Sequence, residues 1–252
     1  MFRSREYQQN QDNPQVVFSE KRRQFFSKFL RNQTESLSFH REHGLLEKRK
    51  TWNEANGEYD SISEDWSNVT EHCLVEAVDA DTLADMLELD TISRQKLVQG
   101  AMLHDFYKRK EIEAMRKDPI MQYELISEMV AKQNSILLEG GVDPEVVGIA
   151  ESVGMSSFEK IERGQATELE KIMNYIDDIT LDTDIKNLSE RIAFGRKRYS
   201  NIPPEQFDRQ LAVSKEIQQQ LAKRLEIENP DELPHVIRKK IFERIEQEQI
   251  EK

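Results

Sequence analysis

The chain has 252 residues and a net charge of −12, with 37% hydrophobic and 33% charged residues, nine Gly, seven Pro and one Cys. That length suits one large domain with a buried core. The scarcity of turn-formers argues against a many-turned β-sandwich or barrel, and the acidic balance argues against wholesale nucleic-acid binding.

Residues 1–14, rich in Gln, Asn and Arg, read as a loose tail. Residues 15–61 read as an N-terminal helical extension: a basic amphipathic segment from Val16 to about Leu30 carries Phe18, Phe25 and Phe26. A polar stretch from Glu47 to Ser61 follows, anchored by Trp52. The core is expected over 62–182. Trp66, Val69, Cys73 and Ala77 recur at helical spacing, followed by a short helix over Asp81–Leu89 and another over Ile92–Lys110. Asp118-Pro119 predicts a helix start, and Gly140-Gly141 the end of that helix. Asp143-Pro144 opens the next, and Ser156 with Glu159 has capping-box spacing. Leu169, Ile172, Met173, Ile176 and Ile179 then line one helical face.

Residues 183–252 read as a C-terminal helical extension packed on the core: Ile185 to about Tyr199, Pro204 to about Ile227, and Leu233 onward. The last stretch, RKKIFERIEQEQIEK, is expected to be a solvated helix. These helices could complete the core or support a homodimer. No strand alternates convincingly, no internal repeat occurs and no Pro/Gly/Ser-rich linker divides the chain, so an all-α single domain is expected. One cysteine, no apolar run near the roughly 18 residues of a membrane span, and a polar opening point to the cytoplasm and away from membranes.

The residues with chemical content are His72, His104-Asp105 and Asp177. Two imidazoles and two carboxylates suit a divalent metal whose task is to activate water. Leu97, Gly100, Ala101 and His104 follow i, i+3, i+4, i+7, which puts His104 on a buried stripe. Gly100 and Ala101 are small enough to admit a neighbouring helix just before the ligands. At about 100° per residue, Asp177 falls roughly 90° from the apolar centre of its helix. Asp178 falls nearly opposite, toward solvent, so Asp177 is the expected ligand. His40 and His43 share i, i+3 spacing without a third ligand, His235 follows Pro234 at a helix start, and Trp52 and Trp66 read as packing anchors. TLADMLELDTISRQKLVQG has the length of a helix-turn-helix, but its first half is acidic and no basic face follows, so DNA binding is not expected.

The order H…HD…D, carried by TEHCLVEA, AMLHDFYKRK and MNYIDDIT, resembles the HD superfamily of metal-dependent phosphohydrolases over about residues 62–182. The resemblance implies an HD-domain-like helical bundle with extra N- and C-terminal helices. It implies metal ligands His72, His104, Asp105 and Asp177, with Lys108 meeting substrate phosphate. The implied substrate is a nucleotide or another small phosphate ester, attacked by metal-activated water. Glu71, beside His72, and Glu111, one turn beyond Lys108, are candidates for proton transfer or ligand orientation, alongside Asp105. Family members with two metals carry extra His residues between the HD pair and the last Asp. Here none occurs between His104 and His235, so the pattern implies one divalent ion, whether Mn, Co, Mg, Fe, Ni or Zn. Two rival readings are a catalytically inactive HD-fold protein that binds a nucleotide or protein partner in a regulatory role, and a helical scaffold with no metal.

Overall fold

A computed structural model describes residues 14–49, 52–53, 58–59, 64–117, 122–154, 157–198 and 202–248. The fold is all-α. In chain order the helices are α1 (Pro14–Arg31), α2 (Thr34–Glu42), α3 (Ser67–Met86), α4 (Thr91–Leu103), α5 (Lys108–Lys117) and α6 (Gln122–Glu139). They continue as α7 (Pro144–Glu151), α8 (Phe158–Glu162), α9 (Glu168–Ile179), α10 (Leu188–Arg198), α11 (Pro204–Arg224) and α12 (Leu233–Glu246). Extended structure among the described residues is confined to two-residue antiparallel pairs. Lys48–Arg49 pairs with Glu64–Asp65, Trp52–Asn53 with Glu58–Tyr59, and Thr180–Leu181 with Asp184–Ile185. No described helix is long and apolar enough to cross a membrane.

Local chemistry explains most boundaries. Asp90 caps α4 by accepting from the Ile92 and Ser93 amides, and Asp143 caps α7 through the Glu145 amide ahead of its first-turn Pro144. Gly141, at φ +83°, closes α6, with the Val142 amide reaching back to the Leu137 carbonyl. Two boundaries differ from expectation: the run expected over Ile92–Lys110 ends as α4 at Leu103 and resumes as α5 after a turn, and α3 is longer than predicted. The predicted break at Asp81 is absent: α3 runs unbroken for 20 residues, because the Asp81 side chain is taken by Arg94 at 2.5 Å and Arg244 at 2.6 Å instead of capping a helix. That helix closes at Glu88, a non-glycine residue at φ +55°, whose neighbour Leu89 donates to the Ala84 carbonyl. A capping box lies at Thr167 and Glu170, which hold each other's amides at 3.2 and 2.8 Å at the start of α9. Asp118-Pro119 and Ser156 lie outside the described residues; α8 begins after Ser157.

The largest apolar cluster joins Ala77 and Leu83 of α3, Leu97 and Met102 of α4, and Ile172 and Ile176 of α9. Phe25 of α1, Ile217 and Leu221 of α11, and Ile237 and Ile241 of α12 belong to the same cluster, so both extensions share the core. A second cluster gathers Phe39, Leu45, Leu103, Phe106, Leu137 and Val146. Each fully buried side chain of this size contributes about 1.5–3 kcal/mol. Helix α4 thus feeds Met102 into one cluster and Leu103 into the other, immediately before His104. The expected close approach at Gly100 is present. A Cβ there would stand 2.3 Å from Ile149 Cγ2 of α7, so only glycine admits α7 at that distance.

Candidate metal centre

Three elements bring the chemistry together. Helix α3 carries His72 and, one turn on, Glu76; the end of α4 carries His104; helix α9 carries Asp177. One potential ligand atom from each of these four lies within 4.8 Å of the others. The imidazole rings of His72 and His104 sit 5.5 Å apart, centre to centre.

The Nδ1 proton of each ring is fixed from outside. His72 Nδ1 lies 2.8 Å from the Asp182 carbonyl, and His104 Nδ1 lies 2.8 Å from the Ala101 carbonyl. A carbonyl can only accept, so each Nδ1 carries a proton, and in the neutral ring Nε2 then presents a lone pair inward. What those lone pairs face is another acceptor. Glu76 Oε1 stands 3.1 Å from His72 Nε2, and Glu76 Oε2 stands 3.2 Å from His104 Nε2. Glu76 is fully buried, yet neither of its oxygens has a hydrogen-bond partner, and neither does His104 Nε2. Distances are those of contact, but the orientation is not that of hydrogen bonds.

Buried acceptors that face one another are costly, by about 1–3 kcal/mol per unsatisfied group and more when charged, and a proton on Glu76 could serve only one of the two rings. A cation among them removes the conflict. An outward Nδ1–H on a carbonyl with an inward bare Nε2 is also the arrangement that orients metal-bound histidines. The donor set therefore fits a divalent cation: His72, Glu76, His104 and Asp177 form a cluster that could hold one.

The charges around it reinforce this. Burial pushes the Glu76 carboxyl well above the usual carboxylate range, and the neighbouring Asp177 and Asp105 charges push the same way. Burial would also raise Asp105, but the Lys108 ammonium opposes it, and that carboxyl is held well below its ordinary value. Asp105 in turn holds Lys108 protonated, against burial and with help from Glu111. Burial pushes Glu111 up, with Lys108 opposing. It pushes the His72 imidazole down, and the neighbouring His104 adds to that.

No family model, curated protein or solved structure matches this chain. The site is therefore read from its own geometry. Three expected ligands, His72, His104 and Asp177, converge. The fourth expected ligand, Asp105, stands beside them: its Oδ2 is 3.8 Å from His104 Nε2, while Oδ1 is drawn to Lys108 Nζ at 3.2 Å. The cause is local, because α4 ends at Leu103 and residues 104–107 form a turn, so Asp105 follows the start of α5 rather than the face of α4.

Glu71 is exposed, and the carboxylate that lies beside His72 in space is Glu76, which the sequence reading passed over. Glu111 is within 3.5 Å of Lys108 Nζ and forms part of the rim. Asp178 corrects the helical-wheel reading: it is fully buried, not solvent-facing, and receives Gln210 at 2.5 Å and the Ser214 hydroxyl from α11. His40 is a core residue with both nitrogens occupied, Nε2 by the Met102 carbonyl and Nδ1 by the Thr70 hydroxyl. His43 donates to the Phe39 carbonyl and packs on Phe106.

Proposed function

We propose that the protein is a metal-dependent phosphohydrolase of the HD type, acting on a nucleotide or another small phosphate ester. The observation that supports this reading is the pair of inward lone-pair nitrogens, His72 Nε2 and His104 Nε2, facing carboxylates with no hydrogen bond between them. His72, His104, Glu76 and Asp177 would hold one divalent ion, with Asp105 adjacent. Such an ion supplies Lewis acidity toward phosphoryl oxygen and acidifies bound water.

The chain's own groups do the rest. Lys108, a fixed positive charge on the rim, would balance charge on phosphoryl oxygens. Asp105 keeps that ammonium in place and protonated. Glu111, whose carboxyl is raised by burial, would hold or release a proton at its Oε2 beside the same ammonium.

One observation favours the regulatory alternative, a non-catalytic nucleotide or protein binder. Lys108 already spans Asp105 and Glu111, which draws on the charge a phosphate would need. Turnover separates the two. Protein purified without chelator is assayed for metal content, then for phosphate release from a nucleotide panel with Mn²⁺, Co²⁺ or Mg²⁺. Bound metal with turnover supports the hydrolase, and bound metal without turnover supports the binder. No metal bound under any of these conditions refutes both metal-based readings.

A further inference from the structure

The segment that follows Asp177 returns to the centre by a second route. Helix α9 ends at Ile179, and the chain makes a tight antiparallel turn in which Thr180 pairs with Ile185 and Leu181 with Asp184. At its tip Asp182 adopts φ +54°, a left-handed conformation that costs energy for a residue with a Cβ. Its side chain is exposed; its backbone carbonyl is what receives His72 Nδ1–H at 2.8 Å. The turn thus presents a main-chain oxygen to the ring, at the expense of backbone strain.

The turn is held on three sides. Arg191 Nε of α10 donates to the Thr180 carbonyl at 2.9 Å. The Thr180 hydroxyl lies 2.8 Å from the Ile176 carbonyl and 3.2 Å from the buried Asp79 carboxyl of α3. Arg238 of α12 reaches Asp184 at 3.2 Å. Two of these holds come from the C-terminal helices.

We propose that Asp182 is a positioning residue for His72, and that Arg191 couples the C-terminal helices to the centre by fixing the turn that carries it. This rests on the metal reading of the site. The carbonyl of Asp182 sets which ring nitrogen of His72 is free and where it points. Arg191, through Thr180, keeps that carbonyl in place. Outer partners of this kind change metal affinity by about 10- to 100-fold when lost.

The test uses the full chain. Mn²⁺ affinity is measured by calorimetric titration for wild type, Arg191→Met, Asp182→Val and Asp182→Gly, and the histidine tautomers of the metal-free proteins are read by long-range ¹H–¹⁵N NMR. Valine, β-branched, resists φ +54°, whereas glycine adopts it freely. Arg191→Met and Asp182→Val are expected to weaken Mn²⁺ about 10- to 100-fold and to disturb the His72 Nδ1–H signal but not that of His104, while Asp182→Gly restores wild-type behaviour. If Arg191→Met does not fold, the Asp182 pair carries the test. Wild-type affinity and an unchanged His72 signal in Asp182→Val would overturn the proposal with the metal reading intact. Failure of the wild type to bind Mn²⁺ strikes the metal reading instead, and the NMR comparison still decides whether Asp182 orients His72.

Discussion

His72 and Glu76, one turn apart on α3, meet at 3.1 Å with no hydrogen bond between them. The carboxylate stands in the same relation to His104 at 3.2 Å, so one buried acid faces two acceptor nitrogens. A site that must bind a cation can tolerate such a conflict; a purely structural core gains nothing from it.

Glu76→Gln separates those two roles by sign. Without metal, the side-chain amide of Glu76→Gln offers an N–H to one of the facing ring nitrogens and is expected to stabilise the fold by about 1–3 kcal/mol, read by urea unfolding in the presence of chelator. Divalent-ion affinity is expected to fall at least tenfold in the same variant. A parallel loss of both would mean that Glu76 is merely a packing residue.

Cation binding should stabilise the folded chain by linkage. At a hundredfold excess over Kd the gain is about 2.7 kcal/mol, visible as a rise in Tm that chelator reverses. Asp177→Asn should remove most of that rise while leaving the metal-free Tm near wild type, since Asp177 is partly open to solvent.

His40 sets a pH dependence that burial dominates. Burial pushes its imidazole from an ordinary 6.5 down to about 4. Between those values the unfolded chain takes up a proton that the folded chain refuses, so this contribution is complete above pH 6.5 and is lost as pH falls toward 4. The shift corresponds to roughly 3 kcal/mol at most. Unfolding free energies of wild type and His40→Gln at pH 7.5 and 5.0 check it, and the wild type should show the steeper fall.

Gly100→Ala places a methyl into Ile149, 2.3 Å from Cγ2 and 2.9 Å from Cβ. Overpacking of this kind costs about 1–3 kcal/mol. Because His104 directly follows the last residue of this helix, Mn²⁺ affinity should decline as well. A variant as stable as wild type would show that α4 and α7 slide apart freely.

The sequence carried the fold class and three of the four clustered residues because periodicity is local. Leu169, Ile172, Met173, Ile176 and Ile179 mark the buried face of α9 and are all buried, and Asp177 borders it. Glu76 was harder to see. Helix α3 is buried on nearly all sides from Glu76 to Ala84, so it has no clean polar face against which a buried acid would stand out. The available signal was its place four residues after His72, amid Val75, Ala77 and Val78. Asp178 was illegible for a different reason: its partners Gln210 and Ser214 come from a helix more than 30 residues on, which no wheel drawn on α9 contains. Asp105 stands beside the cluster because α4 stops at Leu103 and a turn follows, where the spacing predicts one helix through Lys110.

The burial of Asp178 under α11 bears on how the molecule could be dissected. A fragment cut to residues 62–182 would keep His72, His104 and Asp177 but strip the cover from Ile172 and Ile176 and leave an acid exposed where Ser214 had met it. It would also free the turn that Arg191 clasps. The half that carries this cluster is thus no detachable module, and the last helices help to hold the cluster in place.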